Sequence, residues 1–394
     1  MRLRDDFLKY QAKTTPYPMG MEVKRAKGSY IIDQKGKKYL DFVAGVSACS
    51  IGHRHPAVVK AMKKQLNRYI HVMVYGEYAQ SPAVALCKLL AQHLPSSLEV
   101  TYLTNSGTEA IEGAMKLAKR VTGKTGFIAA KQAYHGSTQG ALSLLGVAAQ
   151  KKGYQPLLEE VDFISFNDLT ELEKINENTA AVVLETIQGG AGFIVPQEDY
   201  LKAVKARCVE VGALLILDEI QPGIGRTGKL FAFEHYGITP DILVIGKGLG
   251  GGMPIGAFCS AAEHMQALTQ NPSLGHITTF GGNPVIAAAA LATLETIFRK
   301  KIMNDIAEKE ALFRELLVHK KIKQINGRGL MLAPILAKEE EVATVVQSCL
   351  EKGLILFFLL WEKRGLRISP PLNISRREIK KGCAILLKAL DELQ

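Results

Sequence analysis

Three charged positions close apolar runs in the middle of the chain. Glu185 ends AVVLE, Asp218 and Glu219 end LLILDE, and Lys247 follows DILVIG. They lie 33 and 29 residues apart, each about one strand–helix–strand unit. In an open parallel sheet, ligands bind outside the carboxyl ends of the strands. Acids and a lysine on successive units can therefore face one crevice, where an amine and carboxylates serve proton transfer and nucleophilic attack. One charge at a strand end ordinarily marks only where the chain meets solvent. Three in succession, each leading into glycine-bearing turns, point to a site.

Two further segments suit an anionic ligand. Asn105-Ser106-Gly107-Thr108 lies between the run VTYLT and an amphipathic segment. Glycine lets the backbone come close, and hydroxyls at a helix N-terminus favour phosphate. The same residues would also serve as an ordinary N-cap, and this motif alone does not separate the two. The second segment, IGKGLGGGMPIGA (245–257), contains a nominal G-x-G-x-x-G at Gly246, Gly248 and Gly251. That pattern suggests a dinucleotide, but Gly252-Met253-Pro254 cannot open a helix, no acid follows at ribose-binding distance, and a lysine inside the loop has no role there.

Short apolar runs must carry these loops: 100–104, 127–130, 161–165, 181–185, 214–219, 241–246 and 256–260. Runs apolar on both faces fit strands of a sheet covered by helices. Between them, Ile111, Ala114, Met115, Ala118 and Val121 follow helical spacing, and Gly123 supplies the stop. The alternation predicts an α/β fold with a mostly parallel sheet. At the N-terminal end, GSYIID and KKYLDF flank Gln34-Lys35-Gly36 as a hairpin. After Ala290 come a long helical stretch, a break at Asn326-Gly327-Arg328-Gly329, strands and a final helix. The expected division is a large domain over 49–290, with 1–48 and 291–394 forming a smaller α+β domain.

The chain has 394 residues, 47% of them hydrophobic, enough for a large core. Residues 1–10 carry no apolar signal core, and the run Leu354–Trp361 is far shorter than the ~20 residues a membrane helix needs; it reads as a buried strand or strand pair. Cys49, Cys87, Cys208, Cys259, Cys349 and Cys383 form no Cys-x-x-Cys motif and suit a reducing compartment, the cytoplasm. The formal net charge is +11. Its basic residues are interleaved with acids and accompanied by no nucleic-acid motif, so solvated helix faces are expected in place of a nucleic-acid footprint. No membrane partner is expected either.

At these residues the sequence resembles the class III (ω-amino acid) aminotransferases, pyridoxal 5′-phosphate (PLP) enzymes of fold type I. The likeness runs from Asp41-Phe42 and GHRHP (52–56) to RISPPL (367–372), and is closest to the acetylornithine and ornithine branch. LDEIQPGIGRTGKLFA (217–232) with GKGLGGGMPIGA is its most specific part; NSGTEA, AYHGST and TTFGGNP follow in the family's order. The resemblance implies that Lys247 is the Schiff-base lysine and proton shuttle, that Asp218 lies beneath the pyridine nitrogen, and that Gln221 bonds the phenolic oxygen. It implies that Tyr134 stacks on the ring beside His135, and that Ser106, Gly107 and Thr108 hold the phosphate. Thr279, with Thr278, resembles the phosphate contact supplied by a second subunit, so a homodimer with shared active sites follows.

For the substrates, Arg367 resembles the arginine that grips a carboxylate, a bidentate match. Glu185 resembles a glutamate that pairs with such an arginine and swings away. The chain departs from the family at Gly190, where an acid is common, and at Ser137, where the acetylornithine branch has arginine; His71–Tyr78 departs as well. An ornithine or N-acyl-ornithine type donor with 2-oxoglutarate as acceptor is expected. Lysine, 4-aminobutyrate and diamine donors remain open, as do a mutase, racemase or decarboxylase on the same fold and a non-catalytic PLP-fold binding protein. GHRHP lacks the further ligands a zinc site needs, and packing is the expected role of its histidines.

Overall fold

The computed structural model describes residues 3–197 and 199–393. Near the start, β1 (Val23–Lys27), β2 (Tyr30–Asp33) and β3 (Lys38–Asp41) form an antiparallel meander. The predicted hairpin is β2–β3, closed where Gly36, at φ 85°, donates to the Asp33 carbonyl. The middle of the chain gives β4 (Val100–Thr104), β5 (Gly126–Ala130), β6 (Val161–Ile164), β7 (Thr179–Glu185), β8 (Leu214–Asp218), β9 (Ile242–Gly246) and β10 (Gly256–Ser260). The last part adds β11 (Ile322–Arg328), β12 (Met331–Leu336), β13 (Leu354–Ile355), β14 (Phe357–Phe358) and β15 (Leu366–Arg367).

The seven middle strands form one sheet in the order β4-β10-β9-β8-β7-β5-β6. Every residue of β7 and β9 is buried, as expected of strands covered on both faces. The fold is mixed α/β with a mostly parallel sheet. The exception is β10, which runs antiparallel to both β9 and β4. Only residues 247–255 join β9 to β10, fewer than the dozen or so a parallel crossover needs. The lysine loop is therefore the turn of a hairpin, which explains why no helix follows its glycines.

The helix Gly107–Thr122 packs beneath this sheet. Ser106 caps it by accepting from the Glu109 N–H at 3.3 Å, and Gly123 ends it at φ 69°. Ala110, Ile111, Ala114, Met115 and Ala118 form its buried stripe.

The chain ends meet where β13 runs parallel to β3, Leu354 opposite Leu40 and Ile355 opposite Asp41. Two expectations change here. The run 354–361 is two short strands in different sheets, and Phe357, Phe358 and Leu360 are exposed because the chain leaves one sheet for the other at Leu356. The expected break at 326–329 is instead the end of β11: Asn326 to Arg328 stay paired with β12, and only Gly329 turns. Gly327 permits this at φ 101°, since a Cβ would stand 1.9 Å from the Met331 carbonyl oxygen.

Phe42, fully buried just after β3, meets Phe313 edge-on at 5.3 Å and fills the space beside Gly382. It joins the N-terminal strands to two C-terminal helices. Phe42→Ala should cost about 3–5 kcal/mol of stability, read as a shift in the midpoint of denaturant unfolding.

Candidate active site

Glu185 and Asp218 are the last residues of neighbouring parallel strands and stand directly opposite each other in register. Lys247 follows β9, the next strand, at φ 38°. The hairpin then brings Gly256 opposite both Gly246 and Thr104, so the lysine loop lies against the Asn105–Thr108 loop. Contact there is close: a Cβ on Gly256 would sit 2.0 Å from the Ser106 carbonyl oxygen.

Each acid is held by fixed donors. Asp218 Oδ1 accepts from the Ile220 N–H at 2.9 Å, and Oδ2 lies 2.8 Å from His135 Nδ1. Glu185 accepts from the N–H groups of Gly189 at 2.8 Å and Tyr134 at 3.2 Å. Burial lifts the Glu185 carboxyl to about 7, although the charge of His135 and those two donors oppose the shift. Burial also works against a charged His135, but the hydrogen bond and charge of Asp218, with Glu185 behind, hold it above the ordinary histidine value. Lys247 is displaced downward, chiefly by burial and also by Arg367, against the pull of Asp218 and Glu185. Among the described residues its Nζ makes no hydrogen bond or ion pair.

Arg367, at the end of β15, is buried with its Nε donating to the Phe358 carbonyl at 3.2 Å and its guanidinium 5.5 Å from the Phe193 ring centre. Among the described residues its Nη1 has no hydrogen-bond partner, and burial lowers the pKa of the side chain to about 10, against the pull of Glu185. Glu185 and Arg367 feel each other's charge but form no salt bridge among the described residues; the glutamate is turned toward backbone N–H groups.

Of the remaining candidates, Ser106 uses its hydroxyl as the helix cap, and Gly107 and Thr108, as first-turn residues, have N–H groups with no intrahelical acceptor. Thr108 Oγ1 bonds Thr138 Oγ1 at 2.7 Å. Thr278 accepts from Asn105 Nδ2 at 2.9 Å, while Thr279 is exposed. Tyr134 is partly exposed, its hydroxyl 3.2 Å from Ser137 Oγ. Gln221 Nε2 reaches Ser47 Oγ at 3.4 Å.

Several contributors carry no strong sequence signal. His135 orients Asp218, a contact across 83 residues. Residues 44–47 form one left-handed turn, with Ala44, Val46 and Ser47 at positive φ. Asp41 Oδ1 holds it by accepting from the N–H groups of Val43 and Ala44, while Oδ2 pairs with His53 Nε2 at 2.7 Å. Ser50 donates to the Gly248 carbonyl at 2.6 Å, tying this segment to the lysine loop. His55 caps the helix Pro56–Leu66 through Nδ1, so both histidines of GHRHP have packing partners. Glu219 bonds Thr186 and the N–H groups of Ala232 and Phe233.

Known proteins resemble this chain in sequence and fold. Residues 10–390 match the family profile described as Aminotransferase class-III. The acetylornithine aminotransferase of Bacillus subtilis (strain 168) is 39% identical over 376 residues, 94% of this chain and 95% of that protein. The putrescine aminotransferase of Pectobacterium atrosepticum is 40% identical over 406 residues, 97% of this chain and 84% of that protein. The crystal structure of the ornithine aminotransferase from Toxoplasma gondii ME49 superposes with a TM-score of 0.91 at 30% identity, covering 99% of this chain and 95% of that one.

Glu185 supplies a pH test. An acid whose folded pKa is raised from 4.5 to about 7 adds stability that is complete below the unfolded value and is lost as pH rises through the folded one. The stability difference between wild type and Glu185→Gln should therefore move against the wild type from pH 4.5 to 7, by up to about 3 kcal/mol, and level off above. Urea unfolding of both proteins at pH 5 and pH 8 reads it; a constant difference would show that the carboxyl is not strained by burial.

Proposed function

The chain belongs to the class III aminotransferases, and from that premise we propose that it moves the amino group of an ornithine or N-acyl-ornithine type donor to 2-oxoglutarate. It is a PLP-dependent transaminase. The observation that carries the proposal is Lys247, a half-buried amine without a hydrogen-bond partner among the described residues, beside two strand-end acids and a buried arginine.

The residues present fit the cofactor. The first-turn N–H groups of Gly107 and Thr108 suit its phosphate. Asp218, braced by His135 and the Ile220 N–H, would face the ring nitrogen and keep a proton there. Gln221 would meet the phenolic oxygen, and Tyr134 would lie on the ring face. When bound, PLP supplies an electrophilic carbonyl carbon and a ring that accepts negative charge from the reacting carbon. Lys247 would condense with that carbonyl with loss of water, then, displaced by the substrate amine, take a proton from the carbon bearing the amine and return it to the carbon on the other side of the nitrogen. Its lowered pKa favours the neutral amine these tasks require. Arg367 would hold a substrate carboxylate through its open Nη1. Glu185 acts on it through charge, and Ser137 presents a hydroxyl where a second cation would otherwise stand.

The likeness to a putrescine aminotransferase supports a diamine donor as the second reading. A panel of ornithine, N-acetylornithine, lysine, 4-aminobutyrate and putrescine with 2-oxoglutarate, followed by glutamate formation, decides between them. Ornithine-type donors should show the highest kcat/KM; putrescine in first place would replace them. Lys247→Ala should fold normally and lose roughly a thousandfold or more in turnover, and hydride reduction of wild type should leave the cofactor on the peptide carrying Lys247.

The proposed assembly is a homodimer in which Thr279, with Thr278, reaches the partner's phosphate. Exposed Ile70, Met73, Ile277 and Phe280 support it. They are held together by the His71–Phe280 ring contact at 4.8 Å and by Asn283 Nδ2 donating to the Ile70 carbonyl. The proposed large unit is 49–290, with the two chain ends as the smaller one. Six free thiols support a cytoplasmic location. Sedimentation at micromolar concentration should give a dimer, and Phe280→Asp should shift it toward monomer with loss of activity.

A further inference from the structure

Two buried hydrogen-bond donors without an acceptor occupy one hairpin: Arg367 Nη1 on β15, and Nε1 of Trp361 in the turn that joins β14 to β15. Both are pressed against the same loop, residues 186–194, which closes through the Gln188–Ile194 bridge. Arg367 lies over Phe193 of that loop. Trp361 lies on Gly190: its backbone N–H donates to the Gly190 carbonyl at 2.9 Å, and a Cβ on Gly190 would stand 2.7 Å from the indole Nε1. Gly190 is thus the residue that makes room for the indole. The neighbouring Gly189 N–H holds Glu185, so the loop runs directly from the acid beside Lys247 to the indole.

Buried donors are almost always satisfied, and an orphan calls for an explanation. One orphan on Arg367 is what a bound carboxylate would fill. A second orphan on the same hairpin, against the same loop, is available to the second oxygen of such a group, since a carboxylate accepts at both oxygens. Indole N–H is a donor only, so Trp361 cannot neutralise Arg367 as an acid at position 190 could. Among the described residues Nη1 of the guanidinium is left open.

We infer that Trp361 is a specificity-determining residue whose indole N–H, seated by Gly190, shares with Arg367 the binding of the substrate carboxylate. The inference rests on the carboxylate role proposed for Arg367. It implies that carboxylate-bearing donors and acceptors use Trp361, whereas a simple diamine does not.

Trp361 is the chain's single tryptophan, so its emission reports on this place alone. Titrating holoenzyme with glutarate, a dicarboxylate that cannot react, should give a saturable change in tryptophan emission, and Arg367→Ala should abolish it. Gly190→Ala, which displaces the indole, should weaken glutarate about tenfold. Trp361→Phe, which keeps most of the packing and removes the N–H, should raise KM for 2-oxoglutarate by a similar factor while kcat changes far less, and should leave KM for putrescine unaltered. Gly190→Ala and Trp361→Phe should both melt near wild type; if Trp361→Phe unfolds, the glutarate arm on wild type and Arg367→Ala still decides. Unchanged KM for every carboxylate substrate, emission indifferent to glutarate, or a response that survives Arg367→Ala would overturn the inference. Glutarate binding needs no turnover: a titratable emission in a protein that transaminates nothing would sink the reaction proposed above and leave this one standing.

Discussion

An amine, two carboxylates and a guanidinium taken out of water at one sheet edge set the terms for everything around them. Withdrawing each such ion costs several kcal/mol even after relaxation, and the fold offsets this with fixed dipoles. Glu185 and Asp218 arrive in register on adjacent parallel strands, and each is met by N–H groups of the loop that follows it. His135 completes the shell of Asp218 from a third loop. The strands give the positions; the loops make those positions tolerable for charge.

The chain ends serve the same edge. The left-handed turn at 44–47 costs roughly 1–2 kcal/mol per non-glycine residue, and strain of that kind persists only where neighbours over-determine it. Asp41 caps the turn and pairs with His53, whose imidazole is raised to about 10: burial opposes its charge, but Asp41 and the Cys49 thiol outweigh it. From there Ser50 bonds the Gly248 carbonyl in the lysine loop, the Ser50 carbonyl accepts from Leu372, and Ser369 bonds both Phe42 and Val43. Arg367 sits two residues before Ser369. One clasp therefore fixes the lysine loop relative to the arginine, although the two are 120 residues apart in sequence.

Local signals in the sequence carried the strands, the helix Gly107–Thr122 and the three charges at strand ends, because periodicity and strand-end placement are properties of contiguous residues. The reversal of β10 was also within reach, since a nine-residue link cannot make a crossover. The rest depends on contacts between distant segments. Nothing around His135 announces Asp218, and nothing around Gly190 announces Trp361. The run 354–361 looked buried because its composition is apolar, yet it crosses between two sheets and leaves Phe357 and Phe358 exposed. The expected Glu185–Arg367 pair rested on resemblance, and the two N–H groups that hold the glutamate could not be foreseen from type or spacing.

The lysine shows why these donors matter. Two acids stand near Lys247, and in an ion pair either would hold the ammonium charged and make it useless as a nucleophile or base at neutral pH. Neither does: their hydrogen bonds orient Glu185 toward the N–H groups of Tyr134 and Gly189, and Asp218 toward His135 and the Ile220 N–H. The acids act on the amine only through space, and burial, reinforced by Arg367, outweighs them. A carboxylate turned onto Nζ would gain an ion pair and lose the reactive amine. The hydrogen bonds that hold the acids in these orientations thus go with an amine left available.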